Sequence, residues 1–426
     1  MKILIVGAGG REHALAWKIS QSAHLEKLFC APGNGGTATI AENVPIKDSD
    51  VQGLTDFALK ERIDLTVVGP ELPLTLGIVD RFESQGLRIF GPNKKAAELE
   101  GSKIFAKQFM DRHRIPTGRF RVAESMERAK QILASGEFSF PVVVKADGLA
   151  GGKGAVICHT LSRVEETVTS MLVQRKFGDA GLRVLIEEYL RGKEVSFIVL
   201  SDGAKVQPLV TTMDHKAVYD GDRGLNTGGM GAISPSPFVS AGLFNEVMNT
   251  IVFPTVTRML EEGRKFKGVL YVGLMLTDSG PKVLEYNCRF GDPETQPQML
   301  RLESDLVELL FSVVEENVLG KEVQWSRKPS GCVVLTAGGY PQKYETGKVI
   351  LGLKEASEMP GLTIFHAGTK LESGQYLTNG GRVLGVCASE ETLAVTMDHI
   401  YKGISLIQFE GVHYRRDIGV NREEKR

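Results

Sequence analysis

Apolar residues in the first hundred positions come in short runs, separated by amphipathic stretches. Ile3 to Val6 is apolar throughout and runs into the turn Gly7-Ala8-Gly9-Gly10, which predicts a buried strand and a tight exit. A helix is expected from about Glu12 to Gln21, a second strand over Lys27 to Ala31, and a helix over Leu54 to Lys60. A strand over Leu65 to Val68 ends in Gly69-Pro70-Glu71, Ile78 to Gln85 reads as helix, and Arg88 to Phe90 ends at Gly91-Pro92. Strands and helices alternating at this spacing predict parallel βαβ units, a doubly wound sheet. Ligands on such sheets bind beyond the carboxyl ends of the strands, so Gly7, Gly69 and Gly91 should outline one face.

The pattern then changes. Residues 102–120 read as a helix with a Pro-Thr-Gly exit. A compact segment over about 121–192 holds the apolar run Pro141 to Lys145, a glycine-dense loop and a strand at Leu182 to Tyr189. From 193 to 318 strands dominate (Val195 to Leu200, Lys205 to Leu209, Leu270 to Thr277, Lys282 to Tyr286), followed by an amphipathic helix from Leu306 to Leu319. Glu322 to Ser330 is polar and reads as a linker. Beyond it, Cys332 to Thr336, Leu362 to His366 and Arg382 to Val386 are expected strands, and Glu391 to Tyr401 a helix. No internal repeat or low-complexity tract interrupts this order. The tail Asn421 to Arg426 is expected to fray.

Composition narrows the function classes. The 426 residues suggest about two to four domains. Lys plus Arg numbers 51 against 52 Asp plus Glu, so no basic surface for a nucleic acid is expected. The five cysteines are scattered and form no close pairs, which argues against a disulfide framework or a zinc site. The apolar run after Met1 is too short for a signal peptide, and no apolar stretch reaches the ~18 residues of a membrane span. A cytoplasmic protein with reduced cysteines and no membrane partner is the expectation.

Six segments carry candidate chemistry. Gly7 to His13 joins a strand, a glycine turn and a helix start, an arrangement that can bind an anion. A dinucleotide would require a third glycine where Glu12 stands and an acid after Phe29-Cys30-Ala31; neither is present. A small sugar phosphate fits better, and a purely structural turn remains the alternative. Val144 to Gly154 places Lys145 at a strand end, followed by Gly148, Gly151, Gly152, Lys153 and Gly154. Glycines let backbone amides approach phosphate oxygens, and the lysines add charge. Gly154 in place of Ser or Thr excludes a Walker A loop. The alternative is a mobile surface turn.

Leu185 to Leu190, with Glu194, could read an adenine edge and ribose hydroxyls, or form a solvated loop. In Lys282 to Glu294, Glu285 and Asn287 lie two apart on a strand and share a face. A carboxylate and an amide oxygen are hard donors suited to Mg²⁺. Arg289 continues that face and could hold an anion; an edge strand with a charged outer face is the alternative. Asp214 to Gly231 is a long polar loop in which Asp214 and Lys216 could bind a zwitterionic amino acid, with disorder as the other reading. Thr378 to Arg382 is either a hairpin turn or a lid element carrying an arginine.

Together and in this order, these segments resemble the ATP-grasp superfamily, and within it the glycinamide ribonucleotide synthetase family. The resemblance rests on Gly7 to His13, Lys145 to Gly154, Gly224 to Ala232 (Gly-Leu-Asn-Thr-Gly-Gly-Met-Gly-Ala), Arg289 to Gln296 (Arg-Phe-Gly-Asp-Pro-Glu-Thr-Gln) and Thr378 to Leu384, and covers about residues 1–418. The Arg-Phe-Gly-Asp-Pro-Glu run is specific to that family; the 145–154 loop belongs to the superfamily at large.

The resemblance implies a multidomain α/β and α+β chain. An N-terminal doubly wound parallel sheet (1–102) precedes an ATP-grasp core (103–120 and 193–325) with a small lid subdomain (121–192), and a C-terminal α+β domain (326–426) follows. It implies ATP as substrate with Mg²⁺ or Mn²⁺, and glycine and 5-phosphoribosylamine as partners in purine biosynthesis, in a monomer. By motif position, Lys107 and Lys145 would contact phosphates under the glycine loop. Glu187, Glu188 and Leu190 would lie at the adenine and Glu194 at the ribose. Glu285 and Asn287 would bind the metal, with no further acid on the preceding strand Tyr271 to Met275. Gly9, Gly10, Arg11, Glu12, Asn226, Thr227, Gly228, Pro293, Glu294, Gly381 and Arg382 would line the substrate side. Arg289 is expected to meet the oxyanion and Asp292 the glycine amine, with Asp214 and Lys216 beside them. Three rivals remain at this point. They are another ATP-grasp ligase such as a biotin-dependent carboxylase component, a nicotinamide-dependent oxidoreductase, and a catalytically silent ATP-binding regulator.

Overall fold

The structure, a computed structural model, describes residues 1–151, 154–320 and 322–420. Its first sheet is parallel and ordered Glu42–Asn43, Lys27–Pro32, Lys2–Gly7, Leu65–Val68, Ile89–Phe90. The chain winds outward in both directions from Lys2–Gly7, so the crevice at its carboxyl end is the switch point where ligands gather. Strand residues alternate between two cores: Leu4 and Val6 pack on one face, Ile3 and Ile5 on the other. Burial on both faces explains why the run is apolar without alternation. The helix Gly10–Ile19 begins two residues earlier than the pattern predicts, because Glu12 reaches back to accept a bond from the Gly9 N–H (2.5 Å).

The lid is a four-stranded antiparallel sheet ordered Phe120–Ala123, Val184–Glu188, Val142–Ala146, Ala155–Cys158. Val142, Val144, Ala146, Val184 and Ile186 face a core shared with the helices Met126–Ala134 and Leu161–Val168, neither of which the hydrophobic pattern had marked. Strand alternation therefore turns Lys145 and Glu187 to the opposite face.

The central sheet is antiparallel, ordered Val206–Pro208, Lys193–Asp202, Lys267–Thr277, Gly280–Asn287. Val195, Phe197 and Val199 pack toward the helix Phe253–Glu261, while Ile198 and Leu200 pack toward Leu306–Val314. That second helix ends five residues short of the expected Leu319.

The last sheet runs Met213–Asp214, Gly231–Ser234, Ser330–Thr336, Arg382–Ser389, Leu362–His366, again antiparallel. Two of its strands come from before the 322–330 segment. The Asp214 to Gly231 stretch, expected as a long loop, is thus anchored at both ends and carries a hairpin, Ala217–Tyr219 with Arg223–Asn226. The five cysteines are free and buried, and no helix among the described residues is long and apolar enough to cross a membrane.

Candidate functional site

A cleft of about 410 Å³ lies where the lid, the central sheet, the N-terminal strand ends and the last sheet converge. Lys107 comes from the helix Lys103–Arg112 and Lys145 from the lid strand. Their ammonium groups stand 2.9 and 3.0 Å from the same oxygen of Glu187, Oε2. Lys107 also donates to Thr117 Oγ1 (2.8 Å) and Lys145 to the Leu284 carbonyl (3.2 Å). Burial raises the Glu187 carboxyl, but the two lysines pull it below the ordinary carboxylate range. Burial lowers Lys107. Two cations sharing one anion leave a net positive charge facing the cleft. Glu187 Oε1 is buried and has no partner among the described residues.

Glu285 and Asn287 line the same cleft, both on Gly280–Asn287. The Glu285 side chain sits deep in the cleft yet is 38% exposed to its interior. Burial raises its carboxyl, and Lys216, Lys145 and Lys103 outweigh that, holding it down at about 2. Gly273 lies opposite Glu285 in the sheet, so the neighbouring strand adds no ligand there. Tyr271, opposite Asn287, donates its hydroxyl to Glu294 (2.7 Å). No group of three or more His, Cys, Asp or Glu among the described residues forms a metal cage. A carboxylate and an amide oxygen suit Mg²⁺, which keeps several waters and takes phosphate oxygens; the Asn287 oxygen also accepts from Arg289 Nη2 (3.1 Å). These two residues fit a phosphate-bridged ion.

Asp214 and Lys216 stand at the inner end. Lys216 Nζ is 2.5 Å from Glu194 and 3.5 Å from Glu285. Burial lowers the Lys216 ammonium, but these two acids lift it well above its usual value. Burial, then repulsion from Glu294, pushes Asp214 well up, and its Oδ1 is a second buried acceptor without a partner among the described residues. Asn226, Thr227 and Gly228 line the same end.

Arg382 reaches in from the last sheet and ties this end together. Its Nη1 donates to the carbonyls of Gly228 (2.7 Å) and Asp292 (2.6 Å), and its Nη2 lies 3.1 Å from the Asp292 carboxylate. Burial raises Asp292, but Arg382 and Arg11 hold it low. Arg289, expected to meet the oxyanion, lines the cleft with acids at its back. Its donors go to Glu71 (3.2 Å), Glu100 (3.2 Å), Asn287 Oδ1 (3.1 Å) and the Phe290 carbonyl (3.2 Å). Burial disfavours its charge, yet Glu100 and Glu71 raise it above the ordinary arginine value.

Other expected residues sit around the cleft, with Arg11, Gly151 and Gly154 among those that line it. The turn at Gly9 and Gly10 packs against Asp292; a Cβ on either glycine would stand 3.3 or 3.7 Å from its carboxylate oxygens. Glu12 is buried and pairs with Arg11 (2.5 Å), and Arg11 donates to the Phe290 carbonyl at the cleft wall. Pro293 packs on Gly229, and Gly381 on the ring of Tyr340. Gly148 accepts from Lys103 (2.9 Å), while Gly151 and Gly154 line the cleft. Gly152 and Lys153 lie outside the described residues. Glu188 faces away, bonded to Arg119 and near Lys282 (3.6 Å), and Leu190 packs by Gly118.

The pattern alone missed Lys103, Glu71, Glu100 and Tyr271. Lys103 precedes Lys107 by one helical turn, a spacing that was available as a signal. Glu71 follows a glycine-marked strand end. Glu100 sits inside the helix Lys94–Gly101, where its sequence context is that of any surface acid. Burial pushes it up to about 7 despite Arg289.

Three family descriptions match most of the chain: the phosphoribosylglycinamide synthetase N domain at residues 1–100, its ATP-grasp (A) domain at 101–295 and its C domain at 330–421. The chain belongs to the phosphoribosylglycinamide synthetase family. Family relatives named phosphoribosylamine–glycine ligase are 51% identical in Pseudomonas aeruginosa, over 98% of this chain and 97% of theirs, and 50% identical in Escherichia coli, over 98% of each. The crystal structure of phosphoribosylamine–glycine ligase from Thermotoga maritima is 34% identical, covers 98% of this chain and 100% of its own, and superposes with a TM-score of 0.86. Biotin carboxylase from Campylobacter jejuni, at 14% identity and a TM-score of 0.73 over 97% of this chain and 92% of its own, shares the fold of the phosphoribosylglycinamide synthetases.

Proposed function

We propose that this chain joins glycine to 5-phosphoribosylamine, with ATP converted to ADP and phosphate, in purine biosynthesis. As a phosphoribosylglycinamide synthetase it is an ADP-forming ligase. The observation that carries the reading is one cleft lined by Lys107 and Lys145 for phosphates, Glu285 and Asn287 for a divalent ion, and Asp214 and Lys216 for an amino acid.

A carboxylate is a poor acyl donor because hydroxide leaves badly. Phosphoryl transfer from ATP to a glycine carboxylate oxygen gives glycyl phosphate and ADP. The amine of phosphoribosylamine then attacks the acyl carbon, the C–O bond to phosphate breaks, and the amine proton is released. Positioning and charge neutralisation supply most of the catalysis in such steps. Lys107 and Lys145 take the phosphates, with Glu187 keeping the two ammonium groups aligned. The open Oε1 of Glu187 suits a donor on the nucleotide, such as the adenine amino group. A divalent ion, Mg²⁺ or Mn²⁺, held by Glu285 and Asn287 would neutralise charge on the phosphates.

Asp214 and Lys216 suit the ends of a zwitterionic amino acid, and the buried open oxygen of Asp214 suits its ammonium. Asp292 and Arg382 border the place where the amine must arrive. Arg289, paired with Glu71 and Glu100, is assigned to orienting Asn287 rather than to meeting the oxyanion. The lid keeps water from the acyl phosphate until the amine arrives. We take the working unit to be a monomer. With its cysteines reduced, we place it in the cytoplasm.

The deciding measurement is ADP release with ATP, Mg²⁺ and freshly made phosphoribosylamine. Release is expected to require glycine and to be lost when alanine replaces it. Equal release with and without glycine would refute the reading.

A further inference from the structure

Arg415 lies outside the cleft, near the end of the described chain, and is 1% exposed. Its Nε and Nη2 form a two-pronged bond to Asp417 (2.7 and 2.9 Å). Its Nη1 donates to Asp222 Oδ1 (2.8 Å) and to the Ala217 carbonyl (3.2 Å). Asp222 and Ala217 belong to the hairpin Ala217–Tyr219 with Arg223–Asn226. Neighbouring residues repeat the contact: Gly221 N–H donates to Asp417 (2.9 Å), Arg416 N–H to Asp220 (2.8 Å), and His413 Nε2 meets the Val218 carbonyl (2.8 Å). His413 is itself paired with Thr336 at the end of a buried strand.

The hairpin needs such a hold. Arg223–Asn226 is exposed along its whole length, and an isolated two-stranded hairpin is marginal in water. Its base, however, is the substrate end of the cleft. Thr227 returns to the Lys216 carbonyl with both its N–H and its hydroxyl (2.8 Å each), so Lys216 and Asn226 to Gly228 move with the hairpin. The acidic turn Asp220-Gly221-Asp222 thereby has a role: it is the socket for the 413–417 segment.

We infer that Arg415 is a positioning residue for the ligation, clamping the 217–226 hairpin from outside and so setting Lys216 and Asn226 to Gly228. This rests on the substrate-side role proposed above for those residues. A guanidinium fork is needed because one rigid group meets four acceptor atoms, two on Asp417, one on Asp222 and the Ala217 carbonyl, which an ammonium with three donors cannot do.

The test uses the full chain with Arg415→Ala, Arg415→Lys and Asp222→Asn. Asp222 is 65% exposed in its side chain and has a positive φ of 54° that Asn tolerates, so the last variant is expected to fold. Arg415→Ala should raise KM for glycine about tenfold or more, since a small displacement far from the chemistry is costly. Arg415→Lys should recover part of that loss, and Asp222→Asn should shift KM in the same direction by less. Binding of MgATP should stay near wild type in all three. Hydrogen exchange reads the clamp without relying on the reaction: amides of 217–227 should exchange faster in Asp222→Asn. Unchanged exchange there, or a uniform fall in kcat with every KM unchanged, would overturn the inference. A wild-type chain with no glycine-dependent turnover would instead overturn the function, and the exchange result would still decide the clamp.

Discussion

Lys107 on a core helix and Glu187 on a lid strand lie 2.9 Å apart, with side chains only 3% and 5% exposed. The lid is therefore joined to the core by a buried ion pair inside the cleft itself. Lys145 shares the same carboxylate oxygen, so one anion compensates two cations.

Removing that anion should expose the balance. Glu187→Gln leaves two buried ammonium groups facing each other, and losing one partner of a buried pair typically costs roughly 3–5 kcal/mol. The melting temperature of the free protein should fall. MgATP, which brings negative charge to the same lysines, should raise it by more in the variant than in wild type. Thermal melts with and without nucleotide check this, and equal shifts would count against phosphate binding at Lys107 and Lys145.

Glu285 is the best-poised oxygen donor. Because its folded value of about 2 lies below the ordinary 4.5, its contribution to stability is complete above pH 4.5 and is lost as pH falls toward 2. It stays ionised throughout any working range, so no limb of the pH–rate profile near neutrality should belong to it. Glu285→Gln should weaken the apparent Mg²⁺ affinity by at least about 10–100-fold, the cost typical of disturbing a metal's surroundings. A Mg²⁺ titration of ADP release reads the effect.

Gly229 has φ +117°, and a Cβ there would stand 2.8 Å from Asp214 Oδ1 as well as striking Pro293. Gly229→Ala should cost about 1–3 kcal/mol of backbone strain and displace the buried Asp214 oxygen. KM for glycine should rise while MgATP binding is spared. Steady-state kinetics against each substrate separates the two.

Acid should loosen the docking of the last sheet on the helix Gly10–Ile19. The His366 N–H donates to His13 Nδ1 (2.8 Å), and both rings are buried. Burial lowers His13 to about 3 and His366 to about 4, from an unperturbed 6.5. Between those values and 6.5 the unfolded chain binds more protons than the folded one. Stability therefore rises with pH across this window and is lost as pH drops through it. The melting temperature of wild type should fall from pH 6.5 to 4, and His13→Gln should flatten that slope. Parallel slopes for the two proteins would rule out His13 as a source.

Much of the cleft was legible from periodicity. Glu285 and Asn287 are two apart on a strand, and Lys145 is the one charge in the apolar run Val142–Ala146, so alternation alone sends each to a defined face. Glycine-marked strand ends also foretold where the first sheet opens. Glu100 and the pairing of Arg289 were not legible, since each depends on a helix from one segment meeting a strand from another.

Short-range regularities are set by bond geometry, and they are written in neighbouring residues. That is why the strand–helix alternation of the first hundred residues, the shared face of Glu285 and Asn287, and the charge beside the glycine loop could be read from the chain. Long-range meetings obey packing, which no local pattern encodes. Only the folded chain decides that Glu187 lies between two lysines, that strands from 213–234 complete the last sheet, and that Arg415 closes on a turn almost two hundred residues away.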